Sequence, residues 1–179
     1  MINVTKTYLP NIDKYKKYID EIYASGQVTN NGQMVKRLEK MLAEYLGVKN
    51  LILVANGTVA LEIAYRTLGL KGFAITTPFS FVATTSSLVT NGILPIFVDI
   101  DKNTLNINPK KMEENITPNT SAIVATHVFG NPCDVEAIEK IAKKYNLKVV
   151  YDGAHTFGVN YKGKNIANYG DITTLSFHA

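Results

Sequence analysis

Lys148-Val149-Val150-Tyr151-Asp152-Gly153-Ala154-His155 is an apolar run that closes on a carboxylate, a glycine and a histidine. Val149, Val150 and Tyr151 favour a strand. That puts Asp152 at the carboxyl end of a strand, where open α/β sheets collect their ligands. Similar apolar runs stand upstream at residues 51–55, 73–75, 93–98 and 122–125, so that the five starts are 22, 20, 29 and 26 residues apart. Runs that are apolar on both faces suit parallel strands covered by helices. The intervals carry helical stripes: Leu61, Ala64, Tyr65 and Leu68 share one face, and Ile138, Ile141, Ala142 and Tyr145 share another. The alternation predicts an α/β fold, a mostly parallel sheet flanked by helices and built from right-handed βαβ units.

Ahead of the first run, Val35, Leu38, Met41, Leu42, Tyr45 and Leu46 form the stripe of a longer helix, and Gly47 stands where a C-terminal cap is wanted. Residues 11–24 read as a short helix that Ser25-Gly26-Gln27 breaks. No repeat, low-complexity tract or composition shift marks a linker.

With 179 residues, 46% hydrophobic and 19% charged, the chain is long enough for a real core and too apolar to be disordered. The net charge of +4 is spread over scattered lysines such as Lys14, Lys16, Lys17, Lys143 and Lys144, and no basic face interleaved with aromatics predicts a nucleic-acid partner. The one cysteine, Cys133, has no disulfide partner and no metal-ligand spacing, which agrees with a reducing cytosol. The three histidines likewise lack metal-ligand spacing, so no metal is assigned. The opening Met1-Ile2-Asn3-Val4-Thr5-Lys6 lacks the apolar core of a signal peptide. No segment approaches the ~18 apolar residues of a membrane span. The expectation is a cytoplasmic protein without a membrane or nucleic-acid partner.

Several stretches can carry chemistry. Asn56-Gly57-Thr58 joins the first apolar run to a helix. Glycine lets backbone approach a ligand, and the free amides of a first helical turn favour an anion. An ordinary turn capped by Asn56 or Thr58 is the simpler reading of these residues alone. Thr77-Pro78-Phe79-Ser80-Phe81-Val82-Ala83-Thr84 follows the second run. Phe79 and Phe81 are either core residues or rings at the mouth of the sheet, able to lie on a heteroaromatic ligand. A carboxylate such as Asp152, set beside a pyridine nitrogen, keeps that nitrogen protonated and the ring electron-accepting. It could equally cap a turn. His155 could donate to a phenolate oxygen or sit satisfied in the interior. Ser176 could hold a phosphate or end a strand. His127 follows the fourth run at the same edge, with its role open.

The order of these motifs resembles the DegT/DnrJ/EryC1/StrS family of pyridoxal phosphate (PLP) sugar aminotransferases. Asn56-Gly57-Thr58, Pro78-Phe79-Ser80-Phe81, Pro95-Ile96-Phe97-Val98-Asp99, His127-Val128-Phe129-Gly130-Asn131-Pro132, Asp152-Gly153-Ala154-His155, and Gly170-Asp171-Ile172 ahead of Ser176-Phe177-His178-Ala179 follow that family's succession from about Thr29 onward. The resemblance implies a fold type I, aspartate aminotransferase-like large domain. By it Gly57, Thr58 and Ser176 bind the PLP phosphate, Phe81 stacks on the ring, Asp152 pairs with the pyridine nitrogen and His155 contacts the ring oxygen. Gly153 departs from the alanine frequent in the family.

The family pattern places the PLP-binding lysine two positions past Ala179, so no catalytic residue is assigned within the chain and the chain by itself is expected to be inactive. The resemblance divides the sequence into an N-terminal helical segment, 1–31, and an incomplete PLP-binding domain, 32–179, with the family's small C-terminal domain absent. It implies a homodimer that takes glutamate and a nucleotide-linked keto sugar, with dTDP-4-keto-6-deoxyglucose as the acceptor suggested by Ser-Phe-His-Ala. Two alternatives stand beside transamination. One is a sugar dehydratase of the same family with histidine in place of the lysine; the other is a non-catalytic sensor of PLP or a nucleotide-sugar.

Overall fold

The computed structural model describes residues 8–178. The opening hexapeptide, the first part of the 1–31 segment and Ala179 lie outside the described residues. The chain divides into two compact units, with the boundary between Leu53 and Val54.

The first unit carries two helices. Helix α1 (Ile12–Ser25) starts at Asn11, whose side chain accepts from the amides of Asp13 and Lys14, and it ends at Gly26 with φ of 67°. Helix α2 (Gln33–Leu46) ends at Gly47, whose left-handed backbone (φ 62°) lets its own amide and that of Val48 reach back to the last-turn carbonyls. Both helices stand where the apolar spacing predicts them. The α2 stripe is nevertheless largely exposed at Leu38, Met41 and Tyr45, and only Leu46 is buried.

The second unit, Val54–Phe177, is the α/β body. Its order is α3 (Gly57–Thr67), β1 (Phe73–Thr76), α4 (Val82–Thr90), β2 (Leu94–Phe97), α5 (Pro109–Glu114), β3 (Thr120–Thr126), α6 (Val135–Tyr145), β4 (Lys148–Asp152), a hairpin of β5 (Asn160–Tyr161) and β6 (Lys164–Asn165), and β7 (Ile172–Thr174). Strands β2-β1-β3-β4-β7 lie side by side, all parallel. The chain leaves β1 toward β2 and returns to β3 on the other side of β1. In open α/β sheets such a reversal marks where ligands bind, at the carboxyl ends of the strands.

Alternation along each strand sorts the core into two layers. Ile75, Ile123, Ala125, Val149 and Tyr151 pack with Met112 of α5 and Val135, Ile138, Ile141 and Ala142 of α6. Ala74, Ala122, Val124 and Val150 pack with Leu61, Ala64 and Tyr65 of α3 and Leu88 of α4.

Two expectations are corrected. Residues 51–55 form no strand, and Ile52 is exposed. A strand needs a hydrogen-bonded neighbour. Here the Leu53 amide instead donates to the Glu39 carboxylate at 2.8 Å. Nor is residues 93–98 a run buried on both faces, because β2 is an edge strand with Leu94 and Phe97 exposed.

Gly72 precedes β1 at φ +66°, and a Cβ there would lie 2.5 Å from the Asn119 carbonyl oxygen. Gly69 has φ +63° but nothing within 4 Å of such a Cβ. Gly72→Ala should therefore cost about 3 kcal/mol and Gly69→Ala about 1 kcal/mol. Chemical denaturation of the two variants measures the difference, and equal losses would show that the contact with Asn119 is irrelevant.

Candidate active site

The site is built on one row of residues. Thr126, Asp152 and Thr174 stand in register at the carboxyl ends of β3, β4 and β7. Asp152 is only 7% exposed. Its Oδ2 accepts the Thr84 hydroxyl of α4 at 2.6 Å, and its Oδ1 accepts the Ala154 amide at 3.1 Å. A buried carboxylate needs such donors to offset desolvation. Each oxygen retains capacity for a further donor.

Thr84 is held in turn by what lies behind it. The Tyr65 hydroxyl donates to the Thr84 carbonyl at 3.3 Å and accepts the Ser87 hydroxyl at 3.4 Å. Burial holds the Tyr65 phenol above its ordinary range, so it keeps its proton. Thr84 and Ser87 are the residues that sequence reasoning missed. Their signal is two hydroxyls spaced i, i+3 on the face of α4 that also buries Leu88.

After Asp152 the chain turns tightly. The Gly153 amide donates to the Thr174 carbonyl, and the Gly153 carbonyl accepts both the amide and the hydroxyl of Thr156, each at 2.8 Å. A Cβ on residue 153 would meet Thr156 Oγ1 at 2.5 Å and both Thr173 Cγ2 and the Thr174 carbonyl at 3.0 Å. A side chain here would force the Thr156 hydroxyl aside and crowd the Thr174 carbonyl.

Asn56 caps α3, its side chain accepting the Val59 amide at 2.9 Å. Gly57 and Thr58 are the first two residues of that helix, so their amides face out of its positive end. Ser176, which lies beyond β7 and does not end a strand, sits against this terminus. A Cβ on Gly57 would fall 3.4 Å from Ser176 Cβ and 3.7 Å from its Oγ. The capping and ligand readings of Asn56-Gly57-Thr58 are therefore compatible, since different residues serve each.

Neither Phe79 nor Phe81 is core. Phe81 is 74% exposed, at the N-terminal cap position of α4. Phe79 meets Phe129 edge-on with ring centroids 6.5 Å apart. The Phe129 ring lies parallel to the exposed His155 imidazole, centroids 6.3 Å apart and planes 3° from each other.

His127 has a different place. Its backbone amide donates to the Asp152 carbonyl at 3.1 Å, but its ring stacks on Tyr151 at 4.6 Å, among side chains of the opposite layer. Its Nδ1 accepts the Cys133 amide at 3.0 Å, so the neutral ring carries its proton on Nε2. Burial pushes its pKa down to about 4. The Cys133 thiol, donating to the Thr126 carbonyl at 3.2 Å, is pushed up to about 12 by burial and stays protonated. No cluster of metal-ligating side chains is present among the described residues. No helix among them is long and apolar enough to cross a membrane.

The fold recurs in solved proteins. DesI in the presence of its TDP-sugar product matches with a TM-score of 0.90 at 31% identity, over 94% of this chain and 43% of that one. NtdA from Bacillus subtilis with bound cofactor PMP matches with a TM-score of 0.84 at 36% identity, over 93% of this chain and 38% of that one. The fold is thus that of a fold type I, aspartate aminotransferase-like large domain. By sequence the chain belongs to the DegT/DnrJ/EryC1/StrS aminotransferase family, whose profile matches residues 11–179.

Among curated relatives, a dTDP-4-amino-4,6-dideoxy-D-glucose transaminase of Shigella dysenteriae is 53% identical over 99% of this chain and 48% of its own length. A transaminase of the same name from Escherichia coli is 46% identical over 92% and 44%. A GDP-perosamine synthase of Escherichia coli O157:H7 is 38% identical over 95% and 48%. The chain spans about half the length of the curated relatives it matches.

Because the folded pKa of His127, about 4, lies below the unfolded value of about 6.5, the unfolded chain binds more protons between the two. The stability this burial supports is complete above pH ~6.5 and falls by up to roughly 3 kcal/mol as pH drops to ~4. His127→Asn should flatten that part of the acid limb. Melting temperatures of both proteins at pH 7 and 4.5 check this, and parallel losses would show that His127 does not titrate with unfolding.

Proposed function

We propose that the whole protein is a PLP-dependent aminotransferase that moves an amino group from glutamate to a nucleotide-linked keto-deoxy sugar, with dTDP-4-keto-6-deoxyglucose as the acceptor. The observation that carries this reading is the Asp152 carboxylate, buried at the sheet's carboxyl edge and fixed by Thr84 and Ala154 with lone pairs to spare.

The residues fit the cofactor. The Ser176 side chain lies against the Gly57 backbone, and the Gly57 and Thr58 amides with the Ser176 hydroxyl would hold a phosphate. The exposed Phe81 ring would cover one face of a pyridine ring. Asp152 would keep the proton on the pyridine nitrogen, and His155 would contact the ring oxygen. Bound PLP supplies an electron-accepting ring that stabilises the carbanion left when a substrate loses its α-proton.

The lysine that the family pattern places two positions past Ala179 would tether the cofactor and carry that proton. Residues 32–179 would then be part of the cofactor-binding domain of a cytoplasmic homodimer, with 1–31 a helical segment before it. The choice of acceptor is supported by the 53% identical relative named as a dTDP-4-amino-4,6-dideoxy-D-glucose transaminase. The GDP-perosamine synthase stands at 38%.

Asp152→Asn tests the reading in the whole protein. Asparagine keeps the Oδ1 acceptor for Ala154 and a side chain of the same shape, so the fold should persist. The half-reaction with glutamate should slow by about 1,000-fold or more, because the proton on the ring is no longer held. A turn-capping role predicts the reverse: about 1 kcal/mol of lost stability with near-normal turnover. Melting temperature and half-reaction rate measured on the same variant separate the two.

A further inference from the structure

Asn106 lies in the loop between β2 and α5, outside every motif singled out above, yet it is 2% exposed and fully engaged. Its Nδ2 donates to the carbonyls of Asn131 and Pro132, both at 3.0 Å. Its Oδ1 accepts the Val128 amide at 2.9 Å. All three partners belong to the corner that follows β3, more than twenty residues away in sequence. Asn131 Nδ2 adds a fourth tie by donating to the Thr104 carbonyl at 3.2 Å.

The corner needs such ties. Phe129 sits at φ 53° and Gly130 at φ 80°, so two successive residues are left-handed, and a phenylalanine resists that conformation. What the corner does is visible on its other side. A Cβ on Gly130 would fall 2.8 Å from the His155 carbonyl oxygen, so the bare Gly130 backbone abuts the turn that carries His155. The Phe129 ring lies parallel to the His155 imidazole, and the His127 amide at the head of the corner donates to the Asp152 carbonyl. A shift of the corner would therefore be felt along residues 152–155.

We propose that Asn106 is a positioning residue of the site, acting through the Val128–Pro132 corner to set where His155 and the Asp152–His155 turn stand. The inference rests on the proposed function only in taking His155 for a cofactor contact; the positioning itself is a property of the chain alone.

The test uses Asn106→Ala, which removes all three bonds, and Asn106→Asp, which keeps the acceptor for Val128 and turns both donations into repulsions. Ile93→Ala is the control, since Ile93 is buried at the opposite end of the sheet, just ahead of β2. The imidazole resonances of His155 are followed by NMR in the cofactor-free whole protein, together with PLP affinity and melting temperature.

Both Asn106 variants should shift the His155 resonances and weaken PLP binding by roughly tenfold or more, the effect expected of a displaced contact. Ile93→Ala should lower the melting temperature while leaving both readouts in place. Unmoved His155 resonances in both Asn106 variants would overturn the inference, as would equal movement in Ile93→Ala. Shifted resonances in a protein that binds no PLP would uphold the positioning and sink the proposed function instead.

Discussion

A carboxylate taken out of water at the end of a parallel strand must be met by donors, and the hydrogen bond from Thr84 to Asp152 meets that requirement across two elements. It joins α4, which follows β1, to the end of β4, and so crosses the point where the chain reverses direction in the sheet. Tyr65, buried and protonated, braces Thr84 from α3. Three segments that meet only in the folded chain are thereby locked around one side chain. Were Asp152 apolar, the polar residues on the inner faces of α3 and α4 would lose their common purpose.

The two layers of the body serve different ends. On the α5 and α6 side the core is almost wholly apolar, and the one histidine there is stacked, neutral and committed to a backbone amide. On the α3 and α4 side the apolar packing gives way, toward the carboxyl edge, to Thr84, Ser87, Thr126, Asp152 and Thr174. Alternation along a strand makes this possible. Tyr151 can be core and Asp152 site because neighbouring residues face opposite ways.

The elements most legible from sequence were those whose signal is local. Strands β1, β3 and β4 and helices α1, α2, α3 and α6 stand where apolar spacing and caps put them, because period and capping are written within a few residues. Residues 51–55 have the composition of a strand, but a ladder also requires a neighbour, and composition cannot supply that. The placement of Asp152 at a strand end was legible for the same local reason. Its donor Thr84, the approach of Ser176 to Gly57 and the reach of Asn106 to the corner after β3 were not, since each joins residues brought together only by the fold. The role of His127, open from its sequence position at the same edge, is decided by strand alternation, which sends its ring to the other layer.

The sheet's ordering also bears on how the site comes apart. Among the described residues strand β7 is three residues long and pairs with β4, whereas β4 itself lies between β3 and β7. Amide exchange with solvent proceeds through local openings, which are easiest at short edge strands and hardest in the middle of a sheet. Ser176 follows β7, whereas Asp152 ends a strand with a neighbour on each side. Within the described residues the ring end of the proposed cofactor site is therefore held from both sides of its strand.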